Sequence, residues 1–290
     1  MKFPDNFMGL EEEQAKSYKD SKAVIMQVPF EGTVSYEKGT SKAPKVIIET
    51  SKQLEIYDEE LGRETILEVG IWTDDKEIKE KTADKNVEAV YAASKKHVSE
   101  NKFLAILGGE HSITTGAIKA YKEKYSKLSV LQLDAHADLR DEYTGTIYSH
   151  AAVMSRIREL CPAVQVGIRD FSRPEAEKIK KFNYPIFMAK DIYDNDKWFD
   201  KAIGKLSDDV FITFDIDVFD QSIMPATGTP VTGGLDWYMV IKFLRRVFEK
   251  KNVVGFDLVE LAPMKNMHGC DYLAAKLVYK MIGYKFFAKK

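Results

Sequence analysis

Short runs of apolar, mostly β-branched residues recur along the chain, at 23–28, 66–69, 103–107, 129–134, 164–168, 185–188, 210–215 and 253–258. Most lack alternation with polar residues, the pattern of strands covered on both faces. Between them the apolar positions shift to helical spacing. A helix is predicted from a Thr82 cap to about Glu100, with Val87, Val90, Tyr91 and Val98 near one face. Further helices are predicted over 113–124, 151–160, 173–181, 197–206, 237–250 and 272–282. Strand–helix alternation of this kind predicts an α/β fold with three αβα layers, around a mostly parallel sheet of about eight strands. The stretch from Glu31 to Gly39 reads as a loop after the first strand. Nothing resembles a linker, a low-complexity tract or a repeat, so residues 1–290 are expected to form one domain.

Composition narrows the function classes. Lys plus Arg number 43 and Asp plus Glu 45, a formal net charge of −2, which argues against a general nucleic-acid binder. Lys178, Lys180 and Lys181 read as a solvated helix face. Cys161 and Cys270 are far apart and in no CxxC pattern, as in a reduced protein without a disulfide frame or zinc ribbon. Residues 1–5 show no basic start to a signal peptide, and no apolar run is long enough to span a membrane. The expected location is the cytoplasm, without a membrane partner.

The chemistry concentrates at three predicted strand ends, the edge where open α/β sheets bind ligands. Gly108-Gly109-Glu110-His111-Ser112, Asp134-Ala135-His136-Ala137-Asp138 and Asp215-Ile216-Asp217 each carry His or Asp and no Lys or Arg. Alone, each reads equally well as a turn, a cap or a backbone-bonded loop residue. Together they place four carboxylates at one edge, which repel unless cations intervene. Two divalent ions offset that charge, and two such ions lower the pKa of a water held between them. Imidazole and carboxylate ligands without thiolate favour Mn²⁺, with zinc, cobalt and iron as alternatives.

These three blocks resemble the signature blocks of the ureohydrolase family, which includes arginases and agmatinases. Supporting matches extend across most of the chain: Pro29-Phe30-Glu31-Gly32-Thr33, Ala226-Thr227-Gly228-Thr229-Pro230, Gly233-Gly234-Leu235 and Asp257-Leu258-Val259-Glu260-Leu261-Ala262-Pro263. The resemblance implies an arginase/deacetylase-like fold and two Mn²⁺ per subunit. One ion would be held by His111, Asp134, Asp138 and Asp215, the other by His136, Asp134, Asp215 and Asp217. It further implies that Glu260 receives the substrate guanidinium, for which a carboxylate offers two parallel charge-assisted hydrogen bonds. His150, in Tyr148-Ser149-His150-Ala151, matches a proton-shuttling histidine near the leaving amine. A homo-oligomer, trimer or hexamer, is implied as well.

Two departures stand out. Glu110 replaces the usual aspartate before His111 and is expected to orient that histidine. The Asp-Pro pair common after the third block is Asp220-Gln221, with Asp220 expected to support its loop. His97, beside Lys95 and Lys96, is expected to be solvated, and His268 to begin the last helix with little claim on the site.

The loop after Asp138, residues 139–148, is acidic and aromatic rather than rich in small polar residues. Asp141 or Glu142 would suit an amine-tailed guanidino compound, so agmatine, cleaved to putrescine and urea in polyamine biosynthesis, is the substrate expected. Aminopropylagmatine fits the same logic, Arg140 would suit guanidinobutyrate or formiminoglutamate, and arginine is a further alternative. A different dinuclear metallohydrolase is a competitor, although phosphate chemistry would call for Arg or Lys where Glu260 stands; a metal-binding paralogue without turnover is another, against which the retention of all six ligands, His150 and Glu260 argues.

Overall fold

A computed structural model describes residues 2–289, so Met1 and Lys290, the ends of the chain, lie outside the description. Eight strands form one all-parallel sheet: β1 Ala23–Val28, β2 Ile71–Thr73, β3 Phe103–Gly108, β4 Leu128–Leu133, β5 Ala163–Ile168, β6 Ile186–Met188, β7 Asp209–Asp215 and β8 Asn252–Val259. Their spatial order is β2-β1-β3-β8-β7-β4-β5-β6. Every residue of β1, β3, β4 and β5 is buried, which is why these strands read as apolar runs broken only by Gln27, Ser129, Gln132 and Gln165. The two edge strands, β2 and β6, have only three residues each, limiting the exposed pairing edge.

The helices are α1 Ala43–Ser51, α2 Thr65–Val69, α3 Ala83–Ser99, α4 Thr114–Lys124, α5 Val153–Leu160, α6 Arg173–Phe182, α7 Ala189–Ile192, α8 Phe199–Ile203, α9 Trp237–Lys250 and α10 His268–Phe287. They supply the apolar cover for two clusters of buried side chains. α9 starts where Asp236 accepts the Met239 N–H (2.9 Å), and α6 starts in a Ser172/Glu175 capping box that encloses Pro174.

Several expectations change. The run 66–69 belongs to helix α2, and the strand is the next segment, β2. Four apolar residues fit one helical turn as well as a short strand. Gly70, at φ 76°, decides between them by ending the helix and turning the chain into β2. α1 lies in a stretch without a predicted element; Pro44 sits in its first turn, and Ile47 and Ile48 are buried. α10 runs well beyond 272–282 because Lys280 and Tyr284, polar in the pattern, are buried: Lys280 Nζ donates to Asp58 (2.9 Å) and Glu60 (3.0 Å), and the Tyr284 hydroxyl to Glu60 (2.5 Å).

His97 is not solvated. It is only 2% exposed, its Nδ1 lies 3.0 Å from the Tyr18 hydroxyl, and its Nε2 lies 3.4 Å from Asp74. The spacing Val90, Ser94, His97 continues the buried stripe of α3, so helical period outweighs the neighbouring charges. Cys161 and Cys270 are free and buried, as expected for reduced thiols. No helix among the described residues is long and apolar enough to cross a membrane.

Candidate metal centre

Four adjacent central strands, β3, β8, β7 and β4, deliver the candidate site residues from their carboxyl ends. His111 follows β3, Glu260 follows β8, Asp215 and Asp217 end and follow β7, and Asp134, His136 and Asp138 follow β4. Residues up to 149 positions apart thus meet at one edge: the His111 N–H donates to Glu260 Oε1 at 2.6 Å.

Two groups of ligand atoms lie close enough to hold a metal ion. One contains His111, Asp134 and Asp215; the other contains Asp134, His136 and Asp217. Asp134 is common to both. Asp138 approaches the first group, 3.1 Å from His111 Nδ1, and Asp215 belongs to the first group alone. His136 Nδ1 lies 2.8 Å from Asp217 Oδ2.

The donor set fits a cation. The Thr213 hydroxyl donates to Asp257 (2.7 Å), so Thr213 Oγ1 is left as the acceptor for His111 Nε2–H (2.8 Å). The neutral ring therefore carries its lone pair on Nδ1, a buried atom without a hydrogen-bond partner that faces Asp134 (3.1 Å), Asp138 (3.1 Å) and Asp215 (3.5 Å). A lone pair aimed at three carboxylates requires a proton or a metal ion between them. Burial opposes protonation of His111, but the carboxylates of Asp134, Asp138 and Asp215 around Nδ1 overcome it and hold the imidazole well above its ordinary range. Burial, then the Asp134 charge, pushes Asp138 up to about 6. Both groups must lose protons to ligate.

Mn²⁺ uptake is therefore expected to release protons. Its affinity should strengthen with rising pH and weaken as pH falls through about 6. Calorimetric Mn²⁺ titrations on the two sides of that pH check this, and equal affinities would contradict it.

Backbone geometry supports the cluster. Asp138 and Glu260 hold left-handed conformations, at φ 52° and 64°. The loop after Asp138 is tied to α6, since Leu139 N–H donates to the buried Glu175 carboxylate (2.9 Å). Asp220 supports its loop as expected, accepting from the backbone of Ser222, Gly233 and Gly234.

Glu110 does something other than orient His111. Its carboxylate accepts the Gly32 and Thr33 N–H groups and the Thr33 and Ser112 hydroxyls, at 2.6–2.8 Å. Gly109 permits this approach, because a Cβ there would lie 2.0 Å from the Phe30 carbonyl oxygen. Since Thr33 gives its proton to Glu110, its oxygen accepts from His150 Nδ1–H (3.1 Å). His150 is thereby held with its lone pair on Nε2. Burial, then the charges of His111, His136 and Arg140, pushes this histidine down to about 4, so it is neutral near pH 7.

A cleft of about 270 Å³ opens over the cluster and is lined by His150 and Glu260. Asp141 and Glu142 are exposed and do not line it; Asp141 pairs with Lys178, so that lysine is more than a solvated side chain. Arg140 lines it but stacks on the Tyr143 ring at 5.0 Å. The cleft is also lined by Glu37, Asp170 and Glu175, none of which the sequence pattern singles out; Asp170 lies 3.9 Å from His136 Nε2, and Glu175 accepts the Leu139 N–H. His268 begins α10 and is not among the lining residues.

Residues 21–283 match the arginase family. The chain is 40% identical over 283 residues to an N(1)-aminopropylagmatine ureohydrolase of a Synechocystis species, covering 95% of this chain and 92% of that protein. It is 32% identical to an agmatinase of Pyrococcus horikoshii, covering 91% and 92%. The crystal structure of the agmatine ureohydrolase of Thermoplasma volcanium superposes with a TM-score of 0.87 at 30% identity, over 97% of this chain and 94% of that one. The chain belongs to the arginase family and is a ureohydrolase, a hydrolase of guanidino C–N bonds.

Proposed function

We propose that this enzyme hydrolyses the guanidino group of N(1)-aminopropylagmatine, releasing urea, in a site that holds two Mn²⁺. His111, Asp134, Asp138 and Asp215 would hold one ion, and His136, Asp134 and Asp217 the other, joined by Asp215 as the resemblance to the family's signature blocks implies. When bound, the ions offset the crowded carboxylates and acidify a water for attack on the guanidino carbon. The chain's own residues do the rest. Glu260 pairs with the guanidinium and aims its carbon at the cluster. His150 takes a proton at Nε2 and returns it to the leaving nitrogen.

The observation that carries the substrate choice is the placement of Glu37 and Asp170 on the cleft. Aminopropylagmatine has two ammonium groups beyond its guanidinium; of the three cleft acids outside the cluster, Glu175 is engaged by Leu139 and Ser172, which leaves Glu37 and Asp170 to pair with them. Agmatine, with a single ammonium, is the second reading, supported by the 32% identity to an agmatinase. The higher identity to an aminopropylagmatine ureohydrolase supports the first.

Urea release by the Mn²⁺-loaded protein from aminopropylagmatine, agmatine, arginine, guanidinobutyrate and formiminoglutamate tests both. The expected result is a kcat/KM for aminopropylagmatine about fivefold above that for agmatine, the size of one solvent-exposed ion pair. Preference for agmatine selects the second reading, and no urea from any of the five rejects both.

A further inference from the structure

A row of buried polar side chains crosses the sheet just beneath the cluster. Gln165 on β5 is in register with Gln132 on β4, Gln132 with Thr213 on β7, and Thr213 with Asp257 on β8. All four are fully buried, each between apolar neighbours on its own strand. The Thr213–Asp257 half fixes the ring of His111. The other half leads from the outer helix α5 to Asp134, the carboxylate common to both ligand groups.

In that half, Arg158 Nη2 donates to Gln165 Oε1 (2.9 Å), Gln165 Nε2 donates to Gln132 Oε1, and Gln132 Nε2 donates to Asp134 Oδ2 (2.6 Å). The remaining amide protons are used too: Gln165 Nε2 also reaches the Ala137 carbonyl (2.8 Å), and Gln132 Nε2 the His136 carbonyl (3.4 Å). A guanidinium has donors and no acceptor, so the end of Gln165 facing Arg158 must be its oxygen. That choice turns the Gln165 NH₂ towards Gln132, and the same logic turns the Gln132 NH₂ towards Asp134. Arg158 makes no ion pair among the described residues; it stacks on the Tyr184 ring at 3.8 Å. Its hydrogen-bonding role in this row is thus directional, and a neutral chain carries the direction inward.

We propose that Arg158, Gln165 and Gln132 form a one-way hydrogen-bond relay that positions Asp134 and so sets the metal affinity of the centre from a helix outside it. The proposal rests on Asp134 being a shared metal ligand. All three are positioning residues, since none of them belongs to either ligand group.

Calorimetric titration of the metal-free protein with Mn²⁺ tests the relay. Gln165→Glu reverses it: the carboxylate still accepts from Arg158, which holds it ionised, but presents an acceptor to Gln132 Oε1 and the Ala137 carbonyl. Gln132 must then turn its own oxygen on Asp134. Mn²⁺ affinity is expected to fall about tenfold or more in Gln165→Glu, the usual range for residues that orient a ligand. It should fall by a smaller factor in Arg158→Met and stay near wild type in Arg158→Lys, which keeps a donor. KM for the guanidino substrate at saturating Mn²⁺ should not change. A purely structural role would lower the melting temperature of the metal-free protein and leave Mn²⁺ affinity intact, and that result overturns the relay. If Gln165→Glu does not fold, the Arg158 pair decides alone, and equal affinities in Arg158→Met and wild type overturn it. Asp134→Asn, run alongside, separates the two levels. Loss of Mn²⁺ in Asp134→Asn without loss in the relay variants rejects only the relay. Unchanged affinity in Asp134→Asn rejects the ligand assignment and the relay with it.

Discussion

Replacing Glu260 with glutamine is expected to lower kcat/KM for a guanidino substrate by about a thousandfold, a loss in the range of a buried charge-assisted pair together with misaimed substrate. Stability should not follow activity. Burial, then the charge of Glu110, pushes the Glu260 carboxyl up to about 8. The folded metal-free protein therefore binds a proton at neutral pH that the unfolded chain has already lost. The sign follows from linkage: a carboxyl raised on folding penalises the native state increasingly as pH climbs from its ordinary value through about 8. Glutamine mimics the protonated form and can still accept the His111 N–H through its oxygen. The melting temperature of metal-free Glu260→Gln at neutral pH should equal or exceed that of wild type. A variant that keeps full activity would remove Glu260 from the guanidinium site. One that loses activity and stability together would mark a scaffold role instead.

Asp217→Asn should cut Mn²⁺-dependent urea release by about a hundredfold and leave the protein with one tightly held ion instead of two. Asp217 Oδ1 accepts the Ala135 N–H at 2.9 Å, a bond that asparagine preserves, so the loop after β4 should keep its course. The other oxygen, 2.8 Å from His136 Nδ1, is the one lost to an amide. Metal analysis after gel filtration, paired with the urea assay, reads both effects. Two retained ions and full activity would refute the second ligand group. Arg169 should keep the variant's backbone in place, since its guanidinium donates to the carbonyls of Asp217 (2.7 Å), Phe219 (3.2 Å) and Val231 (2.8 Å).

Where pattern and structure disagree, the cause is a local signal with two physical solutions. At 66–69, four apolar residues satisfy a helical turn or an edge strand; Gly70 ends the helix, and pairing with β1 then places the next segment in the sheet. At His97 and Lys280, charge reads as exposure, yet Tyr18 and Asp74 accompany one and Asp58 and Glu60 the other inside the fold. Gln132, Thr213 and Gln165 were legible in principle. Each is a polar residue inside an apolar strand, and Gln132 and Thr213 stand two positions before a candidate ligand, on the same side of their strands. Their partners were not legible, because a register between strands is not written in either strand alone. Thr33 and Glu110, 77 positions apart, meet for the same reason, and that contact moves Glu110 from the His111 side of the site to the His150 side.

The sequence by itself determined the α/β class, the near-unbroken apolar strands, and the carboxylates and imidazoles at three of their ends, since period and residue chemistry are local properties. Only the tertiary structure decided which strands stand side by side. That order brings β3, β8, β7 and β4 together and places Asp134 in both ligand groups. It also fixes the tautomers of His111 and His150 through Thr213 and Thr33, and puts Glu37 and Asp170, rather than Asp141 and Glu142, on the cleft. Each of these depends on a hydrogen bond or a contact between segments distant in the chain, and such contacts exist only once the sheet has closed its register.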